Sequence, residues 1–168
     1  DLHNNQGTIN LEGGTEVSNN LFSNFCRFLT GNVTSAGEAL SSSMYEYAQE
    51  IPFAKRGGLM RMYYQLYLYY HLGQHNTSFF PELFKELRKD PLTDRYKNTN
   101  NSSLKFVRKV CEIAQEDLTD FFEAWGFFVP CSNLPISDYG DYTMTVKITD
   151  INRTKATIAK YTRKNREI

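Results

Sequence analysis

The sequence has no surplus of charge of either sign. Its 168 residues include 19 Lys and Arg against 19 Asp and Glu, so the formal net charge is zero. A protein that binds nucleic acid through its phosphate backbone needs an excess of Lys and Arg, and the balance excludes a generic polyanion-binding protein. Long apolar runs are also missing, since none approaches the roughly 20 residues of a membrane-spanning helix. We therefore expect neither a nucleic acid partner nor a membrane span.

Cysteine and the common catalytic motifs are scarce. The three cysteines form no CxxC pair, so the sequence indicates neither a disulfide framework nor a zinc site built of thiolates. There is no Gly-rich phosphate loop of the Walker or Rossmann type, and no GxSxG sequence. The usual sequence signs of nucleotide binding and of serine hydrolases are therefore absent.

Apolar and aromatic residues are what the sequence has in quantity. Hydrophobic residues make up 40% of it, and 12 Phe and 11 Tyr are among them. A chain of this size and composition can bury a core, and domains usually contain roughly 100–200 residues. We predict that residues 1–168 form a single helical subdomain. Because the chain begins with Asp rather than Met, we expect it to be a fragment of a larger domain.

Apolar residues recur at helical spacing through most of the chain. Leu21, Phe25 and Leu29 share one face, which predicts a helix that Thr15 caps and Gly31 ends. Residues 59–72 are apolar on every side, which is typical of a buried helix. The same reasoning predicts further helices over 35–49, over 79–88 with Ser78 as its cap, from Ser103, from Asp117, and from Thr149 or Asp150 to about Arg163.

The pattern changes near the C-terminus. Residues 127–130 are predicted to be extended, and residues 142–146 alternate between polar and apolar like an edge strand. The predicted fold class is therefore mainly α, with a small β element near the C-terminus.

Two residues near the start could bind a metal ion. His3 supplies an imidazole, and Glu16 supplies a carboxylate at the beginning of the first predicted helix. Zinc in catalytic sites takes three protein ligands of this kind and leaves a fourth position for water. A His and a Glu alone are a weak signal. In the alternative interpretation His3 is a solvated side chain, and Glu16 is a first-turn acid that interacts with the helix dipole.

Four further residues could contact a substrate. Asn19 and Asn20 lie three and four residues after Glu16 on the same helical face, where they could orient its carboxylate or bind a substrate main chain. Tyr63 and Tyr64 belong to a row of tyrosines, one of which could donate a hydrogen bond into a cleft. For both pairs a structural role is the more common one, as first-turn polar residues and as core aromatics.

Five segments, in order along the chain, carry a resemblance to one family. They are residues 5–10 (NQGTIN), 14–23 (GTEVSNNLFS), 61–66 (RMYYQL), 80–88 (FPELFKELR) and 117–127 (DLTDFFEAWGF). Together they resemble the enhancin-like zinc metallopeptidases. Each segment alone is a weak match, whereas five in the right order are fairly specific.

The resemblance implies a zinc site and identifies two of its residues. Asp1, Leu2 and His3 match the last three positions of an HExxH motif, so His3 corresponds to the second zinc-binding histidine. Glu16 corresponds to the third ligand. The first histidine and the glutamate that acts as general base would precede Asp1. The resemblance therefore implies zinc as the cofactor, and we expect this chain to be inactive by itself.

The resemblance also implies a function. The chain would be the helical C-terminal subdomain of an HExxH-plus-Glu zinc peptidase, a hydrolase that acts on glycoproteins such as mucins. Its partners would be the substrate and the remainder of the parent catalytic domain, in an extracellular or cell-surface setting. Tyr63 or Tyr64 would stabilise the oxyanion. The alternatives are a non-catalytic carbohydrate- or protein-binding helical module of a surface protein, and a purely structural helical spacer.

Overall fold

The computed structural model describes residues 9, 11–31, 50–56, 59–92 and 102–164. These residues are mainly helical, with one β-hairpin near the C-terminus, which confirms the predicted fold class. In this part of the chain no helix is long and apolar enough to cross a membrane. The predicted helix over 35–49 and the candidate ligand His3 lie outside the described residues.

In chain order the elements are α1 (Thr15–Leu29), a 3-10 turn (Phe53–Lys55), α2 (Leu59–Leu66), a π-helix (Tyr67–Gly73), α3 (Phe79–Lys89), α4 (Ser102–Ala114), α5 (Thr119–Ala124), β1 (Cys131–Ser137), β2 (Asp141–Val146) and α6 (Ile148–Ile158).

Helix α3 forms where the sequence predicts it. Pro81 lies in its first turn, where the missing N–H has no helical acceptor to lose. Its inner face is buried, and its outer face carries ion pairs three residues apart, such as Lys89 with Glu86 (2.6 Å). Ser78 occupies the N-cap position as predicted, but its hydroxyl donates to Asn76 Oδ1 (2.9 Å) instead of bonding to the helix. The buried residues of α3 are Phe79, Phe80, Leu83, Phe84 and Leu87.

Aromatic rings from the 3-10 turn, from α2 to α5 and from the segment after α5 pack against one another in the core. Phe53 stacks on Phe127 with ring centroids 4.5 Å apart, and Phe127 meets Phe122 edge-on at 5.0 Å. Phe122 in turn meets Phe106 edge-on at 6.1 Å. Offset and edge-to-face pairs of this kind add to the free energy gained from burying the rings. The abundance of Phe in the sequence is therefore used for packing.

The predicted helix over 59–72 is α-helical only in its first half. From Tyr67 the backbone forms a π-helix, and the N–H of Gln74 donates to the carbonyl of Tyr69 (3.1 Å), five residues before it. The wider turn shifts the register of the side chains. Leu68 and Leu72 are consequently 57% and 48% exposed, so the prediction of a helix buried on all sides is wrong for its second half.

The hairpin contains the predicted strand and one strand that the sequence analysis missed. β2 covers the predicted residues 142–146 and pairs antiparallel with β1, in a register that joins Ser137 to Asp141. β1 contains Pro135 and an irregularity between Cys131 and Leu134, both of which obscure strand alternation. The three residues 138–140, which we call the hairpin tip, connect the strands.

The last helix begins and ends before its predicted limits. α6 runs from Ile148 to Ile158, where Thr149, Asp150 and Arg163 were the expected limits. Beyond α6 the chain turns back toward the start of α5, and the N–H of Asp117 donates to the carbonyl of Thr162 (3.0 Å). Asp117 Oδ1 accepts from the N–H of Thr119 (2.9 Å), the first residue of α5, so this helix begins two residues after the predicted Asp117.

Candidate functional site

Glu16 lies in the first turn of α1, and its side chain is exposed. Its carboxylate can therefore reach a solvent-accessible ion, and carboxylate oxygens are among the ligands that zinc accepts. The partner predicted for it, His3, lies outside the described residues. Within the part of the chain that the structure describes, no three His, Cys, Asp or Glu side chains form a cluster that could hold a metal. Glu16 is thus the one predicted ligand that the structure describes.

The hairpin tip binds the N-terminus of α1. Asp138 Oδ2 accepts hydrogen bonds from the N–H of Thr15 (3.2 Å) and from its hydroxyl (2.7 Å), across 123 residues of sequence. A carboxylate at this position satisfies a helix N–H that has no acceptor within the helix and complements the helix dipole. The prediction that Thr15 itself caps the helix is wrong, because Thr15 is the first helical residue and Asp138 supplies the cap.

The next residue of the hairpin tip reaches Glu16. The hydroxyl of Tyr139 donates a hydrogen bond to Glu16 Oε1. Tyr139 has a backbone φ of 55°, in the left-handed region that costs a residue with a β-carbon roughly 1–2 kcal/mol. The side chain is mostly solvent-exposed, with 63% of the residue surface accessible. The surrounding structure therefore keeps a strained backbone at the residue whose hydroxyl contacts the candidate ligand.

A third contact joins the hairpin to the loop before α1. The hydroxyl of Tyr142 accepts a hydrogen bond from the N–H of Gly13 (2.9 Å). Gly13 has a φ of 72°, and a Cβ added there would lie 3.1 Å from the carbonyl oxygen of Ala54. Glycine avoids both the strain and the close approach. The loop that leads into Glu16 is therefore held between the hairpin and the 3-10 turn.

A buried carboxyl group lies in the same loop. Glu12 is 7% exposed, and its Oε1 accepts a hydrogen bond from the hydroxyl of Ser102. Neither Glu12 Oε2 nor the buried hydroxyl of Ser103 has a hydrogen-bond partner among the described residues. Burial raises the pKa of Glu12, because a charged carboxylate loses its hydration inside the protein. The hydrogen bond from Ser102 lowers the pKa and opposes this effect.

The two asparagines predicted to lie near Glu16 are on α1, and they differ in exposure. Asn19 is half-buried and Asn20 is exposed. Their spacing places both on the turn that follows Glu16. Contact of these side chains with a substrate stays a prediction.

Tyr63 and Tyr64 occupy different environments on α2. Tyr63 is 3% exposed and meets Phe106 edge-on, with the ring centroids 5.8 Å apart. Burial raises the pKa of its phenol. Tyr64 is half-buried. The position of Tyr63 favours a packing role, and stabilisation of an oxyanion by either phenol stays a prediction.

Three residues of this site were missed by the sequence analysis: Asp138, Tyr139 and Tyr142. The turn-forming Asp, Gly and Asp at 138, 140 and 141 are a recognisable hairpin signal next to the predicted strand. No local pattern, however, indicates that this hairpin folds against residues 13–16.

Comparison with known proteins identifies similar sequences and structures. The family described as peptidase M60, enhancin and enhancin-like, matches residues 2–126. No curated protein sequence matches the chain. One similar solved structure is a metallopeptidase in complex with Tn antigen, 34% identical, with a TM-score of 0.81, and the match covers 96% of this chain and 32% of that one. Another is a metallopeptidase from Bacteroides thetaiotaomicron, 34% identical, with a TM-score of 0.82 and coverage of 96% and 29%.

The family match covers well over half of the chain and includes Glu16, Asn19 and Asn20. The chain spans about a third of the length of the solved structures that it matches. The hairpin lies beyond residue 126, so its contacts with α1 are visible only in the folded chain. The resemblance recognised in the five sequence segments is thus confirmed, and the chain belongs to the peptidase M60 family of enhancin and enhancin-like proteins.

Proposed function

We propose that this chain is part of the catalytic domain of a zinc metallopeptidase and that Glu16 is one of the metal ligands. The observation that carries the proposal is the exposed carboxylate of Glu16 at the start of α1, inside the region that matches the family. The hydrogen bonds from the hairpin tip support it, since they fix the beginning of the helix that carries this carboxylate.

The donor set fits zinc chemically. Glu16 supplies a carboxylate oxygen and His3 an imidazole nitrogen, both of which are usual zinc ligands, and the remaining ligand would precede Asp1. Zinc, when bound, polarises a carbonyl group and lowers the pKa of a coordinated water. In this proposal Glu16 and His3 hold the ion, and Asn19 and Asn20 bind the main chain of the substrate one turn further along α1.

The proposed substrates are glycoproteins such as mucins. Support comes from one similar metallopeptidase, which was solved in complex with Tn antigen, a glycan. The proposed setting is extracellular or at the cell surface, where such glycoproteins would be encountered. The chain itself contributes Glu16 and the helices behind it, and the rest of the catalytic domain contributes the other part of the substrate site.

Replacement of Glu16 tests the proposal in the full-length protein. We expect Glu16→Ala to remove bound zinc, measured by elemental analysis, and to abolish cleavage of a mucin-type glycoprotein. The matched control is Glu82→Ala, because Glu82 also lies in the first turn of a helix. It should retain zinc and activity. Unchanged zinc content in Glu16→Ala would contradict the proposal, and glycoprotein binding without cleavage, resistant to chelator, would favour a non-catalytic binding module.

A further inference from the structure

We infer that Tyr139 is a positioning residue, whose hydroxyl orients the Glu16 carboxylate for the metal ion. The inference rests on the proposed role of Glu16 as a ligand. It concerns a residue outside the region that the family match covers, on a different element from the ligand.

Two consecutive residues of the hairpin tip contact two consecutive residues of α1. Asp138 binds the backbone and hydroxyl of Thr15, and Tyr139 binds the carboxylate of Glu16. Two adjacent contacts fix both the position and the orientation of the hairpin tip against the helix. The Asp138 contact therefore holds the backbone from which the Tyr139 side chain extends toward Glu16.

Tyr139 shares its left-handed φ with His75, Gln115 and Asn133, and what distinguishes it from them is the contact with Glu16. A left-handed φ at a residue other than glycine is uncommon, and such residues concentrate at functional sites. The exposure of the side chain means that burial of the ring offsets little of this strain. Asparagine tolerates the same backbone conformation better, yet lacks a group that reaches as far as the tyrosine hydroxyl.

A hydrogen bond to one carboxylate oxygen restricts rotation of the Glu16 side chain. A preoriented ligand loses less conformational entropy when it binds an ion. Groups that hold the ligands of a metal typically change its affinity about 10–100-fold when they are removed. Tyr139 has the donor, the position and the geometry for this role.

Zinc affinity of the full-length protein tests the inference. We expect Tyr139→Phe, which removes one oxygen atom, to weaken zinc binding about 10–100-fold in competition with a chelator. The unfolding temperature of the metal-free protein should change little. The matched control is Tyr70→Phe in the π-helix, which also removes one oxygen atom and with it the buried hydrogen bond from Tyr70 to Glu116 Oε2 (2.9 Å). It should lower that unfolding temperature while zinc affinity stays close to that of the wild type.

A second variant separates loss of the contact from loss of folding. Tyr139→Asn also removes the hydroxyl but suits the left-handed backbone, so it should lose zinc affinity without losing stability. Wild-type zinc affinity in Tyr139→Phe, or an equal loss in Tyr70→Phe, would overturn the inference. If Glu16→Ala loses zinc in the same assay, only the role of Tyr139 fails. If Glu16→Ala keeps zinc, the proposed function fails as well.

Discussion

The start of α1 and the aromatic core are held together by different kinds of interaction. At the start of α1, a few directed hydrogen bonds from the hairpin tip reach the buried Thr15 and the exposed Glu16. In the core, rings such as Phe122 and Phe127 are fully buried and contact one another on several sides. Hydrophobic burial scales with area, whereas one hydrogen bond contributes only about 1 kcal/mol net.

Stability and function therefore depend on different parts of the molecule. Substitutions in the core should lower the free energy of unfolding strongly, because they leave cavities. Substitutions at the start of α1 should cost less stability while disturbing the candidate ligand more. Measurements of stability in variants of the two regions test this contrast.

The largest effect is expected from a cavity in the core. Phe122→Ala should lower the free energy of unfolding by about 3–5 kcal/mol, because Phe122 is fully buried and contacts Phe106 and Phe127. Denaturant titration would measure it. The control is Leu72→Ala at an exposed position, which should stay within about 0.5 kcal/mol of the wild type. Similar losses in both variants would show that the core does not carry the stability.

A smaller effect is expected at the start of α1. Asp138→Ala removes the cap of the helix, and loss of a helix cap costs about 1 kcal/mol, within a range of 0.5–2. The same titration would detect it. Asp141→Ala is the matched control, because Asp141 is an exposed aspartate of the same hairpin. A loss as large as that of Phe122→Ala would break the contrast, since one polar contact would then equal a core ring.

The smallest effect expected is a change in pH dependence. Burial raises the pKa of Glu12 in the folded protein, so its protonated form favours folding. This stabilisation is complete below the ordinary glutamate pKa of about 4.3 and is lost as the pH rises through the raised value. Glu12→Gln should therefore lack this loss, and should be at least as stable as the wild type at neutral pH.

Unfolding temperatures measured from pH 4 to pH 8 would test this behaviour. The control is Ser103→Ala, which removes the neighbouring buried hydroxyl without changing charge. Its unfolding temperature should differ from that of the wild type by the same amount at every pH. A pH profile of Glu12→Gln that runs parallel to the wild-type profile would mean that Glu12 does not titrate as expected.

The helices were predictable where one face of the helix decides the structure. Leu21, Leu83 and Val107 lie on three different helices, and each is buried. Each belongs to a row of apolar residues at helical spacing, which is a property of the local sequence. The π-helix was not predictable, because the exposure of Leu68 and Leu72 depends on how the chain packs after Tyr67. β1 was missed since its pairing partner, and not its own sequence, makes it a strand.

In the candidate site, too, some residues were predictable from the sequence and others were not. Glu16 was predicted from the sequence through the resemblance of the segment around it, and its role as a ligand, like that of His3, stays a prediction. Asp138 and Tyr139 could not be identified, because a hydrogen bond across 123 residues leaves no local pattern in the sequence.

The sequence by itself determined the mainly helical class, the aromatic core and the membership of the peptidase M60 family. These depend on spacing and residue type, which can be read along the chain. Only the tertiary structure decided that the hairpin caps α1 and that Tyr139 reaches Glu16. The physical reason is that such contacts require two distant segments to be brought together, and burial of the shared apolar core does so.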